Sequence, residues 1–333
     1  MNLKTIKNID VDLWTDLLGH SSQASPFQSP EFYKFINKIP GFKPEVFAIE
    51  DGGKLLALVI VVIQKEKGIM AYFSRRGIVY GGPLIRKNNV NALGVLLEHT
   101  SAALRGKVIY IESRNFFDYQ AFISIFNVQK WNFLPYLNFQ VSAAGKTKDD
   151  LLAAMKYNRR REIKMSIKHG ATYDLASNEE EVAEVYKILK SLYRERVNLP
   201  LPNFEFFSSF IKSEFTRVFV VKIDDKVIAG SFCLFYPGKN LYTMYYCGLR
   251  EIDKKIFPTN LAVWAAIEYA VNEQIPVVDL MGAGRPDEDY GVRKYKSQFG
   301  GDLVEYGRFL KVLNPFLYNL GRLGLKMMTK FNS

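Results

Sequence analysis

The sequence predicts an α/β (α+β) protein made of two copies of one domain, each a mixed, mostly antiparallel sheet flanked by helices. Residues 45–54 and 217–226 share one form, an apolar run followed by a Gly/Asp turn and a lysine. Val46 and Val218 are 172 positions apart, and so are the two lysines. Turn residues between apolar runs indicate β-hairpins. In each half the order strand–strand–strand–helix–strand follows at a nearly constant offset, which favours a duplication.

The elements of the two halves are predicted in the same order. The first half has a hairpin at 45–63, a third strand at 70–73 with its Arg-rich extension, a helix at 90–104 and a strand at 108–111. The second half has helices at 149–168, 179–196 and 204–212, then a hairpin at 217–236, a strand at 241–247, a helix at 260–272 and a strand at 277–281. A small, polar stretch at 142–147 predicts the boundary, with domains at 1–145 and 146–310.

The composition is that of a folded globular protein. The chain has 333 residues, of which 48% are hydrophobic and 24% are charged, and this excludes a mainly disordered chain. The longest apolar run, 55–63, is far shorter than the ~20 residues of a spanning helix. The first residues lack the apolar stretch of a signal peptide, and Cys233 and Cys247 are the only cysteines. These features predict a cytoplasmic location.

The net charge of +11 predicts a polyanionic partner, either nucleic acid, a phosphorylated substrate or acidic lipid head groups. The positive charge has two concentrations. Residues 146–168 carry eight basic and three acidic side chains, and residues 308–333 carry five basic side chains and no acid. Runs of this kind are also typical of solvated helix faces.

Several common catalytic motifs are absent from the sequence. There is no P-loop and no GxSxG elbow, and Gly282-Ala-Gly284 continues as Arg285-Pro286 where a dinucleotide fingerprint would need further glycine. The three histidines, His20, His99 and His169, have no metal-ligand spacing. A kinase, serine hydrolase, nicotinamide dehydrogenase or zinc enzyme is therefore disfavoured. Chemistry that needs positioning and an oxyanion site fits better.

Several segments resemble the signatures of Fem-type proteins, and they occur in the family's order along most of the chain. They are 25–32 (SPFQSPEF), 74–83 (SRRGIVYGGP), 158–164 (NRRREIK), 279–284 (DLMGAG) and 291–301 (GVRKYKSQFGG). The resemblance implies two tandem GNAT-like acyltransferase domains, which agrees with the internal repeat. It also implies that a C-terminal helix within 311–333 packs on the first domain.

The resemblance implies transfer of an aminoacyl group from a charged tRNA to an amine on a peptidoglycan precursor. No tightly bound cofactor and no metal are implied, and the donor is an aminoacyl-tRNA or an acyl-CoA. The sequence departs from the family in having no room for a helical hairpin arm. It also lacks the glycine cluster of simple acetyl-CoA enzymes, with Ile256-Phe-Pro-Thr-Asn260 in that place. The strands 241–248 and 277–281 would supply backbone N–H groups to the acyl oxygen. The helix start at 258–260 is either a latent anion site or an ordinary helix cap.

Three residues are candidates for the chemistry. Lys296 stands in an aromatic–lysine pair that matches the Fem-type signature, and this match implies that it stabilises the oxyanion or a donor phosphate. The alternative is a solvated lysine on a basic loop. Tyr295 would stack on a donor ring or pack in the core. Asp279, at a strand end, would orient or deprotonate the amine, or only cap a loop.

Seven basic residues are candidates for binding phosphate-bearing substrates. Arg159, Arg160, Arg161 and Lys164 form the densest group, and contacts of this kind would be salt-sensitive. Lys34 stands where the family has a lysine that contacts precursor phosphates, and Arg194 or Arg196 would be its partner across a cleft.

Two alternatives remain open at this stage. One is an acyl-CoA-dependent N-acyltransferase that acts on a sugar or a small amine. The other is a non-catalytic protein that binds RNA or membranes. The tail from Arg308 to Lys330, with Leu310, Leu313, Leu317, Leu320 and Leu323, suits either peripheral contact at the inner face of the membrane or docking on the first domain.

Overall fold

A computed structural model describes residues 4–6, 9–65, 73–197, 200–250 and 252–322. The chain divides into two compact units, residues 1–136 with 305–333 and residues 137–304. The boundary predicted near residue 145 falls inside the second unit, because the strand Leu137–Ser142 pairs with Val277–Gly282 of that unit's sheet. The strand Arg308–Val312 returns to the first unit, where it pairs with Tyr110–Asn115.

The first unit is a mixed sheet in the order β1-β2-β3-β4-β6-β15-β7, with β5 paired to β3. Its strands are β1 (Lys4–Ile6), β2 (Phe42–Asp51), β3 (Lys54–Gln64), β4 (Arg76–Gly81), β5 (Leu84–Ile85), β6 (Tyr110–Asn115), β7 (Asn132–Leu134) and β15 (Arg308–Val312). Its helices are α1 (Val11–Gly19), α2 (Pro30–Asn37), α3 (Val90–Leu104) and α4 (Ile123–Val128), and residues 315–322 are also helical. Only the β4–β6 pair is parallel among the strand pairs described for this sheet.

The second unit is a sheet in the order β14-β8-β13-β12-β11-β10-β9. Its strands are β8 (Leu137–Ser142), β9 (Thr172–Leu175), β10 (Thr216–Ile223), β11 (Lys226–Tyr236), β12 (Asn240–Gly248), β13 (Val277–Gly282) and β14 (Asp302–Glu305). Its helices are α5 (Lys148–Ala154), α6 (Tyr157–Lys168), α7 (Glu179–Leu192), α8 (Phe204–Ser208), α9 (Pro258–Asn272) and α10 (Gly291–Lys296).

Both units contain the predicted order of hairpin, third strand, helix and fourth strand. The hairpin turns are Gly52-Gly53 and Asp224-Asp225, and all four residues have the positive φ that tight hairpin turns require. In each unit the third strand and the strand after the helix pair in parallel, β4 with β6 and β12 with β13. The predicted fold class, with two mixed sheets flanked by helices, is therefore confirmed.

Apolar side chains of the helix after the third strand cover each sheet. In the first unit, Leu93, Leu96 and Leu97 of α3 are buried against Phe47 and Val59 of the hairpin. In the second unit, α9 is buried almost all round, from Leu261 to Ala270. A helix that is apolar on most of its surface must lie inside the protein, so α9 is a central element of this unit.

The two signature segments of the first half meet in space. The Gln28 side chain donates to the Gly82 carbonyl oxygen at 2.9 Å, and it accepts from the Ser25 backbone N–H at 2.9 Å. Gly82 has φ +85°, and a Cβ there would lie 2.5 Å from the Tyr119 hydroxyl oxygen. The residue types of these motifs are thus explained by packing within the first unit.

Several boundaries differ from prediction. The helix expected over 149–168 is two helices, because Met155 has an extended backbone and the Lys156 N–H donates to the Gln298 carbonyl oxygen at 3.1 Å. The end of the helix expected over 179–196 is a π-helix, Tyr193–Val197. The third strand of the first half, expected at 70–73, is found at Arg76–Gly81, and residues 70–72 lie outside the described residues.

Candidate active site

A cleft opens in the second unit where two parallel strands diverge. β12 and β13 pair at only three described positions, from Asn240↔Val277 to Tyr242↔Asp279. The register of β12 against β11 then shifts at Met244. Beyond this point the edges of β12 and β13 line a cleft of about 850 Å³, together with the first residues of α9 and the helix α10. Diverging strand edges offer backbone N–H and C=O groups to a bound molecule.

Lys296 is the most deeply buried charged group of the cleft wall. It is the last residue of α10 and is 5% exposed. Its Nζ donates to the Gly282 carbonyl oxygen, at the end of β13, at 2.8 Å. Burial lowers the pKa of Lys296 to about 8, although the nearby Asp279 carboxylate opposes this shift. The lysine therefore lies at the cleft wall with a pKa close to neutral pH. Groups that stabilise charge or transfer protons in active sites typically have pKa values in this range.

Asp279 lies behind the wall of the cleft. The side chain is completely buried, and its Oδ1 accepts from the Met281 N–H at 2.6 Å. Oδ2 accepts from Gln140 Nε2 at 3.0 Å and from Asn138 Nδ2 at 3.4 Å. Burial raises the pKa of Asp279, and the hydrogen bonds from Gln140 and Met281 oppose that shift. Direct contact with a substrate amine does not fit this burial.

The hydrogen bond that Asp279 accepts from the Met281 N–H indicates that Asp279 positions the backbone of β13 and does not contact the amine. Met281 has φ +65°, a strained conformation for a residue with a side chain. The Asp279 carboxylate holds this backbone in place, and the next residue, Gly282, presents its carbonyl oxygen to Lys296. Asp279 is thus a positioning residue for Lys296 and for the edge of β13.

Tyr295 connects α10 to the start of α9. Its hydroxyl donates to Asn260 Oδ1 at 3.1 Å, and its ring stacks on Tyr246 of β12 with centroids 5.9 Å apart. Burial raises the pKa of the Tyr295 hydroxyl well above its ordinary value. The ring packs between Tyr246 and the Arg159 guanidinium, and it also lines the cleft. Packing within the protein therefore accounts for this ring, and stacking on a donor ring stays a prediction.

Arg159 is not available to a polyanion. It is 4% exposed, and its guanidinium lies 4.6 Å from the Tyr295 ring centroid and 4.7 Å from that of Phe299. It donates to Gln298 Oε1 at 2.8 Å and pairs with Glu162 at 3.3 Å. The prediction that Arg159 contacts phosphate does not fit this burial, and the side chain instead packs behind the cleft wall.

The other basic candidates do not form one group. Arg160 is partly buried, and its Nη1 donates to the Ala153 carbonyl oxygen at 3.4 Å. Arg161 and Lys164 are exposed on α6, and neither lines the cleft described above. Successive helical residues point about 100° apart, so three adjacent arginines face three different environments.

Of the remaining candidates, only Arg196 lines the cleft, at the end of the π-helix. Arg194 is exposed and pairs with its neighbour Glu195 at 3.4 Å. Lys34 is exposed on α2 of the first unit.

The structure adds cleft residues that sequence reasoning missed. Arg250 lines the cleft just beyond β12. For Asn260, which belongs to the predicted helix start, the structure adds a side-chain role, because it bridges the Tyr295 hydroxyl and the Glu162 carboxylate, to which it donates at 2.9 Å. Gly248 lies so close to α9 that a Cβ there would be 2.6 Å from the Thr259 backbone nitrogen. The sequence did contain a signal for this close approach, because Gly248 ends a predicted strand ahead of a helix that begins with proline.

Arg159 and Arg161 form a matched pair for a stability test. We expect Arg159→Ala to lower the free energy of unfolding by about 2–4 kcal/mol, because it removes two ring contacts and leaves buried polar groups unpaired. Arg161→Ala, at an exposed position, is expected to change it by less than about 0.5 kcal/mol. Urea denaturation measures both variants. Equal effects would contradict the buried role of Arg159.

Among the residues that the structure describes, no three His, Cys, Asp or Glu side chains are grouped as a metal site would require. The helices in the described ranges include none that is long and apolar enough to cross a bilayer.

Residues 153–297 match the family model of the acetyltransferase (GNAT) domain. No curated protein matches the sequence. Among solved structures, FemX superposes with a TM-score of 0.74 at 13% identity, covering 95% of this chain and 99% of that one.

Two other solved structures share the architecture. A tandem GNAT protein from the clavulanic acid biosynthesis pathway has a TM-score of 0.61 at 10% identity, covering 94% of this chain and 99% of that one. The C-terminal domain of a putative lysylphosphatidylglycerol synthetase from Agrobacterium fabrum has a TM-score of 0.60 at 14% identity, covering 96% and 95%. At these identities the likeness concerns the fold. The chain therefore has the fold of tandem GNAT proteins. The match of residues 153–297 to the GNAT acetyltransferase domain indicates an acyltransferase.

Proposed function

We propose that the protein is an N-acyltransferase that binds the acyl group of an activated donor in the cleft between β12 and β13 and transfers it to an amine. The observation that carries the proposal is the divergence of these two strands beside the buried Nζ of Lys296. Backbone donors and a buried cation at one cleft are what a developing oxyanion requires.

The reaction needs few protein groups. A neutral amine attacks the acyl carbon, the new C–N bond forms, and the bond from carbon to the donor oxygen or sulfur breaks. The amine loses one proton and the leaving group gains one. Lys296, as the ammonium ion, stabilises the negative charge on the acyl oxygen while the tetrahedral intermediate exists. Fixing both reactants in the cleft supplies the rest of the acceleration.

We infer that the donor is an aminoacyl-tRNA and the acceptor an amine on a phosphate-bearing cell-envelope precursor. The ordered Fem-type motifs support this, as does the fold shared with FemX and with the domain of the putative lysylphosphatidylglycerol synthetase. Ile256 and Phe257, directly ahead of α9, and Pro258 at its start supply no glycine cluster to surround a CoA pyrophosphate. Arg196 and Arg250 bring positive charge to the cleft, which suits a phosphodiester donor.

A second candidate is an acyl-CoA-dependent N-acyltransferase acting on a sugar or a small amine. The match of residues 153–297 to an acetyltransferase model favours it, and so does the shared fold with the tandem GNAT protein of clavulanic acid biosynthesis. The two candidates use the same cleft and differ in the acceptor, in the leaving group of the donor and in the residues that bind that leaving group.

A transfer assay distinguishes the donors. The purified protein is incubated with a mixture of aminoacyl-tRNAs or with acetyl-CoA, each with a nucleotide-linked peptidoglycan precursor that carries a free amine. We expect mass spectrometry to show an added aminoacyl group with charged tRNA and no acetyl group with acetyl-CoA. Deacylated tRNA is the control for the donor. Transfer from acetyl-CoA alone would overturn the tRNA proposal, and RNA binding without any transfer would support a non-catalytic protein.

A further inference from the structure

The helix at residues 315–322 of the first unit has an exposed apolar side. Phe316 is 75% exposed and Leu320 is 44% exposed, and the spacing of four residues places them on one side of the helix. On the other side, Leu317 is 6% exposed and the Tyr318 ring packs edge-on against Tyr110 with centroids 5.4 Å apart. Of the tail leucines in the sequence analysis, Leu317 therefore docks on the first unit, whereas Leu320 remains at the surface.

A second exposed aromatic residue lies next to this helix. Phe73 is 38% exposed, and a Cβ built on Gly321 would lie 3.8 Å from the Phe73 carbonyl oxygen. Both segments belong to the first unit. Exposed large apolar residues from two segments thus lie near each other, which is a feature of interaction surfaces rather than of ordinary solvated surface.

The same two segments are strongly basic. Residues 65–76 contain four basic side chains and one acid, and residues 306–333 contain five basic side chains and no acid. Arg308 and Lys311 are engaged within the first unit, where Arg308 pairs with Glu112 at 3.1 Å and Lys311 donates to the Gln129 carbonyl oxygen at 2.6 Å. Arg322, by contrast, is exposed on the same helix as Phe316 and Leu320. An exposed apolar patch within a basic region is complementary to a surface that is anionic outside and apolar just beneath.

The sequence beyond the described residues continues the pattern. Leu323, Met327 and Phe331 stand 7, 11 and 15 positions after Phe316, the spacing of one helix face. Arg322, Lys326 and Lys330 recur every four positions. The inference depends on Phe73, Phe316, Leu320 and Arg322, which the structure describes, and the later residues add only their spacing.

We propose that this basic apolar face, defined by Phe73, Phe316, Leu320 and Arg322, binds the surface of a bilayer that contains anionic lipids. Phe316 and Leu320 insert at the boundary between head groups and acyl chains, and the basic side chains contact the phosphates. A nucleic acid would pair its phosphates with the basic side chains and stack its bases on the aromatic rings, but it would gain nothing from the exposed aliphatic side chain of Leu320. The proposal does not depend on the acyl donor or acceptor.

Co-sedimentation with vesicles tests the proposal without any acyl donor. The full chain is mixed with vesicles of phosphatidylcholine alone, or of phosphatidylcholine with about one third phosphatidylglycerol. We expect binding to the anionic vesicles only, and we expect it to weaken as salt is added. The double variant Phe316→Ser with Leu320→Ser is expected to lower the partition coefficient by at least about tenfold.

Val128→Ser is the matched control, because Val128 is also an exposed apolar residue of the first unit, at 70%. It is expected to leave binding unchanged. A second measurement uses Phe316→Trp, since Trp14, Trp131 and Trp264 are all buried and give a constant background. The fluorescence of this variant is expected to shift to the blue with anionic vesicles.

Three results would overturn the proposal. They are equal binding to neutral vesicles, binding that the double serine variant leaves intact, and a fluorescence emission of the Phe316→Trp variant that does not respond to vesicles. Displacement of the protein from vesicles by a small excess of RNA, with no fluorescence shift, would assign the face to nucleic acid instead. Because no transfer is measured, failure of this test leaves the proposed reaction untouched, and the reverse also holds.

Discussion

Replacing Lys296 with methionine is expected to lower kcat/KM by about 10²–10³-fold and to leave the protein folded. This is the range found when one group that stabilises an oxyanion is removed. Methionine retains most of the apolar volume of the lysine side chain in its 5%-exposed site, so packing is preserved. The measurements are the transfer rate and the thermal unfolding temperature, with acceptor and donor held constant.

Lys294→Met is the control, since Lys294 is an exposed lysine on the same helix. It is expected to keep nearly full activity. Full activity in Lys296→Met would remove Lys296 from the reaction. Loss of activity together with loss of the folded state would assign it a structural role only.

The pH dependence tests which form of Lys296 acts. Burial lowers its pKa to about 8, so the ammonium ion predominates below pH 8 and the neutral amine above it. If the ammonium ion stabilises the oxyanion, the contribution of Lys296 falls as pH rises through about 8. A contribution that instead rises through this pH would make Lys296 a base.

Asp279→Asn is expected to move this transition to lower pH. The Asp279 carboxylate favours the charged form of Lys296, so removing its negative charge lowers the pKa of Lys296 below about 8. Near pH 7.5 the rate is expected to fall about tenfold, with the larger part of the loss in kcat. A merely structural role for Asp279 would reduce the rate without moving the pH profile.

The stability of the same variant provides an internal check. The pKa of Asp279 is raised in the folded protein, so the folded state holds that proton more tightly than the unfolded chain does. Keeping the carboxylate ionised therefore costs stability as pH rises through its folded pKa, and this cost is constant above it. Asparagine avoids this cost but replaces one accepting oxygen by an amide donor among groups that donate to Asp279. The two effects oppose each other, so the melting temperature at pH 7.5 is expected to change by less than about 3 °C. Asp225→Asn, in an exposed hairpin turn, is the control for a surface Asp-to-Asn change.

Much of the fold follows from local chemistry. The turns at Gly52-Gly53 and Asp224-Asp225 mark both hairpins, and α3 was predicted with its observed bounds, Val90–Leu104. By contrast, the break at Met155 has no local signal such as proline or glycine. It arises because Lys156 bonds to Gln298, which is 142 positions later in the chain. Hydrophobic periodicity describes only neighbouring residues, so it cannot predict a contact between residues this far apart in the chain.

For the candidate site, too, the sequence predicted some features and only the structure showed the others. The sequence pointed to Lys296 and Tyr295 through a short motif, and to 258–260 through the start of a helix, and all of these line one cleft. It gave Asp279 a direct chemical role among its alternatives, whereas the structure buries that carboxylate under three hydrogen bonds. Solvent access to a side chain depends on which strands flank it, and that is not a local property.

By itself, the sequence determined that this protein is a duplicated α/β chain with a strongly basic balance, and its resemblance to Fem-type proteins implied an acyltransferase. Turn residues, helical periodicity and the order of elements act over a few neighbouring positions, so they can be recognised without coordinates. The tertiary structure alone decided the roles of identical neighbours. Arg159 is buried against Tyr295 and Phe299, whereas Arg161 is exposed. A helix turns each successive residue by about 100°, and only the packing of distant elements determines which direction leads to the core.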